Sequence, residues 1–309
     1  MDKKISFGAE MTLQQFLALD NYLKSYDTIK EVLNTKEFHN LKLEGGVDVI
    51  DIKKNIFNGW NTERILRANN ELLNNKDNYF VLQWSFPQAY YSVYMLTLSY
   101  LYLIGLTNTA PSHSGIMRKF GKLVKSDNYP KMISFYSEGS KKNPGFKNIT
   151  KQYSMNSIEF NQNSIDSCQT KICQFLKATR QIDLVRYRNF NTTAKKYETK
   201  KGQIKTNLNQ REWKEISKNM GVTNILHLLY RKRIKSNYRE IKSFMYEGIE
   251  ASQIHKNLVG IVNELNLIHE CYIYKLIGRN KFLDFYKEYS NMKKISFLDK
   301  RIEMIKNGI

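Results

Sequence analysis

Nine cations share one polar stretch of this sequence with only two acids: Lys177, Arg180, Arg186, Arg188, Lys195, Lys196, Lys200, Lys201 and Lys205 against Asp183 and Glu198. Tyr187, Phe190 and Tyr197 are set among them. Cations at this density hold phosphates, and aromatic faces stack unpaired bases, each stack being worth roughly 1–3 kcal/mol. The residue types therefore suit single-stranded RNA or DNA, with Arg180, Arg186, Tyr187, Arg188, Lys195, Lys196 and Tyr197 as contacting side chains. The same rings would equally serve to pin the segment to a helical core while the lysines face water, and no periodicity chooses between the two. A second cluster comprises Arg231, Lys232, Arg233, Lys235, Arg239 and Lys242, with Glu240 as the lone acid. On a helix, Arg231, Lys235, Arg239 and Lys242 would line one face and repel one another. A bound polyanion relieves that repulsion, which makes the row a candidate phosphate-binding face.

These side chains need a scaffold, and its centre is legible. Between Asp77 and Arg118 the chain carries no formal charge. From 89 to 106, Tyr90, Tyr91, Tyr94, Tyr100 and Tyr102 alternate with Val93, Met95, Leu96, Leu98, Leu101, Leu103 and Ile104. A helix that is apolar nearly all round must be surrounded by other helices. Gly105 ends it, and Ser112 is placed to cap a following helix that carries Ile116, Met117, Phe120 and Val124. His113 stands at that junction, where a histidine either caps the turn or does acid–base work, and Arg118 about one turn on is a candidate phosphate ligand. Further upstream, Thr12 and Gln15 read as a capping box opening one helix to about Leu33. Leu41 to Ile52, around Gly45-Gly46, reads as a β-hairpin. Thr62 to Leu73 reads as an amphipathic helix packed beside the tyrosine-rich one. From Asp127 to Gln210 the pattern loosens: 137–145 is a loop by composition, Asn163 to Leu176 a helix, and Asn189 to Asn209 polar.

The order Ala89-Tyr90-Tyr91, an apolar helix, Gly105, a short loop, Ser112-His113-Ser114-Gly115 and a second apolar helix is matched downstream by Leu228-Leu229-Tyr230, Arg233 and Asn237-Tyr238. Together these segments resemble the higher eukaryote and prokaryote nucleotide-binding (HEPN) family. The resemblance implies a mainly α protein, an HEPN-like four-helix up-and-down bundle from about Asn61 to about Gly278, with a small N-terminal β-hairpin and a long basic insertion. The expected organisation is an N-terminal helix and hairpin over 1–56, the helical domain over 57–290 with the basic segment 128–210 inserted, and a C-terminal helix over 291–309. Catalytic members place an arginine about four to six positions before a histidine; the arginine stabilises the phosphorane while the histidine handles the 2′-hydroxyl or leaving-group proton, without metal. Here Arg233 matches the arginine, but Tyr238 stands where the histidine belongs, and none of His39, His113, His227, His255 or His269 follows an arginine at that interval. A phenol with a pKa near 10 is a poor base at neutral pH, and lost acid–base help costs about 10²–10⁴ in rate. The set carried over is therefore Arg233, Tyr238 and, standing in from another helix, His113. The same resemblance implies RNA as the first nucleic-acid partner, a homodimer that brings two copies of Arg233 into one cleft, and an antitoxin or nucleotidyltransferase-type partner in a toxin–antitoxin or phage-defence setting.

Composition bounds the rest. A formal net charge of +20 and a pI near 9.6 on 309 residues give a long-range attraction for polyanions. The 41% apolar content supports a packed core. Three cysteines, Cys168, Cys173 and Cys271, without Cys-x-x-Cys spacing, exclude a disulfide framework and a structural zinc site, and point to a reducing, cytoplasmic compartment. No secretory signal is expected after Met1, and tyrosines scattered through the apolar run argue against a membrane span. No Gly-rich phosphate loop, metal-ligand histidine pair or Gly-x-Ser-x-Gly elbow occurs, so neither a cofactor nor a metal is expected. Glu44, Asp48 and Asp51 read as the wet side of the hairpin. Two alternatives to an RNA-binding protein or metal-independent endoribonuclease stand beside it: a sequence-specific DNA-binding regulator using a helix-turn-helix near 213–235, and a non-catalytic interaction protein.

Overall fold

Tyr79–Leu103 forms one continuous helix at the centre of the protein, starting well before Ala89 and accommodating Pro87 inside it. The computed structural model describes residues 7–73, 79–107, 111–150, 160–190, 197–203, 205, 207–238, 251–292 and 296–309. The protein is mainly α, 74% helical, with twelve helices and one small antiparallel hairpin among the described residues. In chain order these are α1 (Phe7–Lys24), α2 (Thr28–Leu33), α3 (Lys36–Asn40), α4 (Val49–Leu73), α5 (Tyr79–Leu103), α6 (His113–Lys125), β1 (Tyr136–Gly139), β2 (Pro144–Lys147), α7 (Ile165–Phe190), α8 (Gln210–Met220), α9 (Ile225–Tyr238), α10 (Ala251–Ile277), α11 (Arg279–Met292) and α12 (Ser296–Gly308). Helices α4, α9 and α10 pack along α5, and α1 packs on α7 and α10. The encirclement follows from the composition of α5: Ala89, Tyr90, Val93, Leu96, Leu101 and Leu103 are all fully buried. Among the described residues no helix is long and apolar enough to cross a membrane.

The hairpin lies elsewhere than expected. Residues 41–44 are irregular, Gly45 and Gly46 form a turn, and α4 begins at Val49. The apolar residues from Val49 onward follow the helical period: Val49, Ile52, Ile56 and Trp60 are buried, whereas Ile50 is 62% exposed. The Asp48 side chain accepts from the Ile50 amide at 2.7 Å and starts the helix. The strands instead occupy the segment that composition marks as a loop, with Tyr136 opposite Lys147 and Gly139 opposite Pro144. Ser137 also exchanges two 2.8 Å backbone hydrogen bonds with Thr223, so a distant part of the chain holds β1 in place.

The N-terminal helix is broken as well. Asp27 caps a separate α2, accepting from the Lys30 amide at 3.1 Å. Thr12 lies inside α1 rather than at its start, and its hydroxyl accepts from Lys232 Nζ at 2.9 Å. The expected boundary between 56 and 57 falls within α4. The helix expected to end at Leu176 runs on to Phe190 as α7, and Leu184 on that extension packs with Tyr197, Trp213 and Ile216 in a small second core.

Two buried polar networks lie inside the described part of the main core. Arg301 of α12 donates from Nη1 to both carboxylate oxygens of Glu63 at 2.8 Å and from Nη2 to Glu270 Oε1 at 2.8 Å, all three side chains being almost fully buried. Arg67 and Asn266 also donate to Glu63, and Trp60 donates to Glu270 at 2.8 Å. Burial opposes the charge on Glu63, yet Arg301 and Arg67 hold its carboxyl below the usual range, whereas burial pushes Glu270 up to about 7. Glu270 Oε2 meets no donor, in keeping with a carboxyl that holds its proton more readily than Glu63.

The second network centres on His269, whose Nε2 meets Thr97 Oγ1 at 3.1 Å and Tyr129 Oη at 3.2 Å. Burial lowers its pKa from 6.5 to about 4. Between those values the unfolded chain binds a proton that the folded one refuses, so this group's share of stability is present above 6.5 and lost as pH falls. The expected slope is about 1.4 kcal/mol per pH unit. Thermal melts of wild type and His269→Gln across pH 7 to 4 check this: their difference should shrink on acidification, and a constant difference contradicts the argument.

Candidate functional site

Helices α6 and α9 converge on the middle of α5. Ser112, in extended conformation, accepts from the Gly115 amide at 3.1 Å, and this cap makes His113 the first residue of α6. Its ring then lies against α5, with centroids 4.7 Å from Tyr94 and 5.5 Å from Tyr90. Tyr90 Oη and His113 Nδ1 are 3.0 Å apart, and Tyr94 donates to the Pro111 carbonyl at 3.2 Å, which ties the loop before α6 to the central helix. Helix α9 completes the group with Tyr230 and Arg233. Arg233 Nη2 donates to Tyr91 Oη at 2.6 Å across 142 positions of sequence. Its guanidinium carbon sits 4.8 Å from the Tyr91 ring centroid, 5.5 Å from Tyr230 and 5.6 Å from Tyr90, distances at which ring quadrupoles attract a cation.

The electrostatics fix the protonation states. Burial, and secondarily the Arg233 charge, lower the pKa of His113 below its ordinary 6.5, so the imidazole is neutral at pH 7. Burial raises Tyr90 far above its ordinary value of 10.0, so it remains a neutral phenol. Tyr90 is fully buried, whereas Tyr91, His113, Tyr230 and Arg233 are half-buried and reach the surface. A neutral imidazole beside a permanent cation at the surface can accept a proton while the cation holds an anion.

The other sequence candidates scatter. Arg118 is exposed on α6. Arg180 is 1% exposed and donates to the carbonyls of Ser137, Gly139 and Gly221 and to the hydroxyls of Thr223 and Ser217. It clamps the hairpin to the end of α8 rather than facing solvent, a correction that follows from its five internal acceptors. Arg186 lies 3.8 Å from Asp183. Arg188 donates to the Lys205 carbonyl at 3.2 Å and covers the Trp213 ring. Tyr197 is 4% exposed within the small second core and Tyr187 packs against it, so these rings are used in packing. Of the basic residues of α9 whose side chains are described, Arg231 donates to Thr179 at 3.0 Å, Lys232 is buried on Thr12, and Arg233 joins the tyrosines. Lys195, Lys196 and Arg239 lie outside the described residues, as do the side chains of Lys235 and Tyr238.

Helices α8 and α9, separated by Gly221 at φ +84°, have the outline of a helix-turn-helix. A reading helix must present its first turns to the groove, yet Ile225, Leu226, Leu228 and Leu229 are buried in the core. Among the described residues no group of three or more histidine, cysteine or acidic side chains could hold a metal, and Glu44, Asp48 and Asp51 are no exception. Sequence reasoning missed Tyr94 and Tyr230 as walls of the site. It also missed the Glu63–Arg301–Glu270 network, whose one visible signal is a lone acid, Glu270, within the apolar run 265–273 of α10.

Comparison with protein-family models, with curated proteins and with solved structures finds no match.

Proposed function

We propose that this chain is an HEPN-like RNA-binding protein whose site is the aromatic cluster around His113 and Arg233, and that these two residues form a metal-independent ribonuclease centre. One observation carries the reading: the arginine and the Ala89-Tyr90-Tyr91 segment singled out by the resemblance meet through the 2.6 Å Arg233–Tyr91 bond, beside a neutral histidine. In the reaction, Arg233 holds the scissile phosphate and stabilises the charge of the phosphorane. His113 takes the 2′-hydroxyl proton as the oxygen attacks the adjacent phosphorus, the P–O5′ bond breaks, the 5′-oxygen leaves with a proton taken from water, and a 2′,3′-cyclic phosphate remains. The formal net charge of +20 supplies the electrostatic attraction for the rest of the strand. By the same resemblance, a second copy of the chain closes the cleft and a nucleotidyltransferase-type or antitoxin protein is its partner. A non-catalytic binder is the second reading, favoured by the enclosure of the Arg233 guanidinium between three tyrosine rings.

Titration of labelled single-stranded RNA at several salt concentrations tests the binding step. Affinity should fall steeply with salt, linearly on logarithmic axes; an affinity indifferent to salt removes the reading. Cleavage should persist in EDTA and leave cyclic phosphate ends. Binding without cleavage selects the second reading, and cleavage that requires Mg²⁺ rejects the proposed chemistry.

A further inference from the structure

From Trp84 onward, α5 is buried except along one stripe. Trp84, Gln88, Tyr91 and Met95 follow one another at spacings of four, three and four, which places them on a common face, and none of the four is buried. Trp84 is 62% exposed, although indoles are the largest apolar side chains and this helix is otherwise the core of the protein. It stands two turns before Tyr91, about 10 Å along the axis, and Tyr91 is the side chain that receives Arg233. No acid lies anywhere on α5, so nothing on that helix repels a phosphate chain, while Arg233 on α9 supplies a cation beside it.

We propose that Trp84 is a stacking platform for an unpaired base of a nucleic-acid strand whose phosphate lies at Arg233. The inference rests on the RNA-binding reading and deepens it by specifying the substrate as single-stranded. A duplex keeps its bases stacked on each other and offers the indole no face, whereas a single strand offers every base. The indole is uncharged and its π-face accepts any base, so it selects strandedness rather than sequence.

Intrinsic fluorescence reads the contact directly, because Trp60 and Trp213, the other two tryptophans, are buried. Full-length protein is titrated with a mixed-sequence single-stranded RNA, the same RNA annealed to its complement, and an abasic phosphodiester strand of equal length. The single strand should quench emission in wild type and not in Trp84→Leu, and Trp84→Leu should weaken its binding about 5- to 100-fold. Trp84→Phe should restore most of the affinity, and the abasic strand should bind wild type and Trp84→Leu alike. Arg233→Ala should weaken both strands. Equal binding of the single strand by wild type and Trp84→Leu, with Arg233→Ala still weakened, overturns the platform and leaves the RNA reading standing. Failure of wild type to bind any strand overturns both. A Trp84→Leu protein that changes its oligomeric state in light scattering but binds RNA normally assigns the indole to a second copy of the chain and also overturns the platform.

Discussion

Replacing Arg301 with alanine should lower the melting temperature by roughly 10 °C. The guanidinium joins two carboxylates from α4 and α10 to the C-terminal helix in a site that water does not reach. Removing one partner of a buried ion pair costs about 3–5 kcal/mol because the remaining charge is left uncompensated, and in a protein of this size each kcal/mol is worth about 2–4 °C. The variant also has a defined pH dependence. Without the Arg301 cation, the burial of Glu63 is opposed only by Arg67 and Asn266, so its folded pKa rises, and Glu270 loses its opposing charge. A carboxyl raised on folding contributes stability at low pH that is lost as pH rises. The deficit of Arg301→Ala relative to wild type should therefore be larger at pH 8 than at pH 5. Arg301→Lys keeps the charge but not the two-pronged geometry, and should fall between the two. A melting temperature that is unchanged in Arg301→Ala would show that α12 is held by its apolar face alone, through Leu298, Ile302 and Ile305.

At the proposed centre, His113→Ala should reduce EDTA-resistant RNA cleavage by about 10²–10⁴ while leaving RNA affinity within a few fold, since a general base acts on the reaction and contributes little to binding. Arg233→Ala should reduce both, because it removes the phosphate contact and the cation that stabilises the transition state. Tyr91→Phe separates the two roles of Arg233: it deletes the 2.6 Å hydrogen bond but keeps the ring under the guanidinium. The rate should follow the neutral imidazole. As burial and the Arg233 charge place the pKa of His113 below its ordinary 6.5, the acid-side decline in cleavage should come at a lower pH than for a free imidazole. If His113→Ala cleaves as wild type does, the histidine serves only to hold Tyr90, and the ribonuclease chemistry is wrong; if the rate declines already between pH 8 and 7, another group titrates in the reaction.

How much of this was legible in the residues differs by element. The uncharged run around Tyr90 could only be a buried helix, since its burial requirement is satisfied wherever the neighbours stand, and α5 follows. The Ser112 cap was equally local, because its hydrogen bond to the Gly115 amide spans three residues. The 41–52 segment was misread because Leu41 and Leu43, Val47 and Val49, and Ile50 and Ile52 are each spaced by two, and only burial of Ile56 and Trp60 one and two turns later discloses the helical period. Composition hid the true hairpin, whose strands are held by the Arg180 guanidinium and the Thr223 backbone from far along the chain.

By itself, the sequence determined the class of the fold, the identity of the central helix, the start of α6 and the strongly cationic character of the surface. These depend on composition, local spacing and charge, all of which act within a few residues or by simple sum. Tertiary structure alone decided which cations remain near the surface and which are consumed inside. Arg180, Arg233 and Arg301 are chemically identical in the sequence, yet one clamps a hairpin, one lies among tyrosines beside His113, and one joins two buried carboxylates. The guanidinium is long and carries five donors, so its role is set by the acceptors that the folded chain brings within its reach, and those acceptors come from residues distant in sequence.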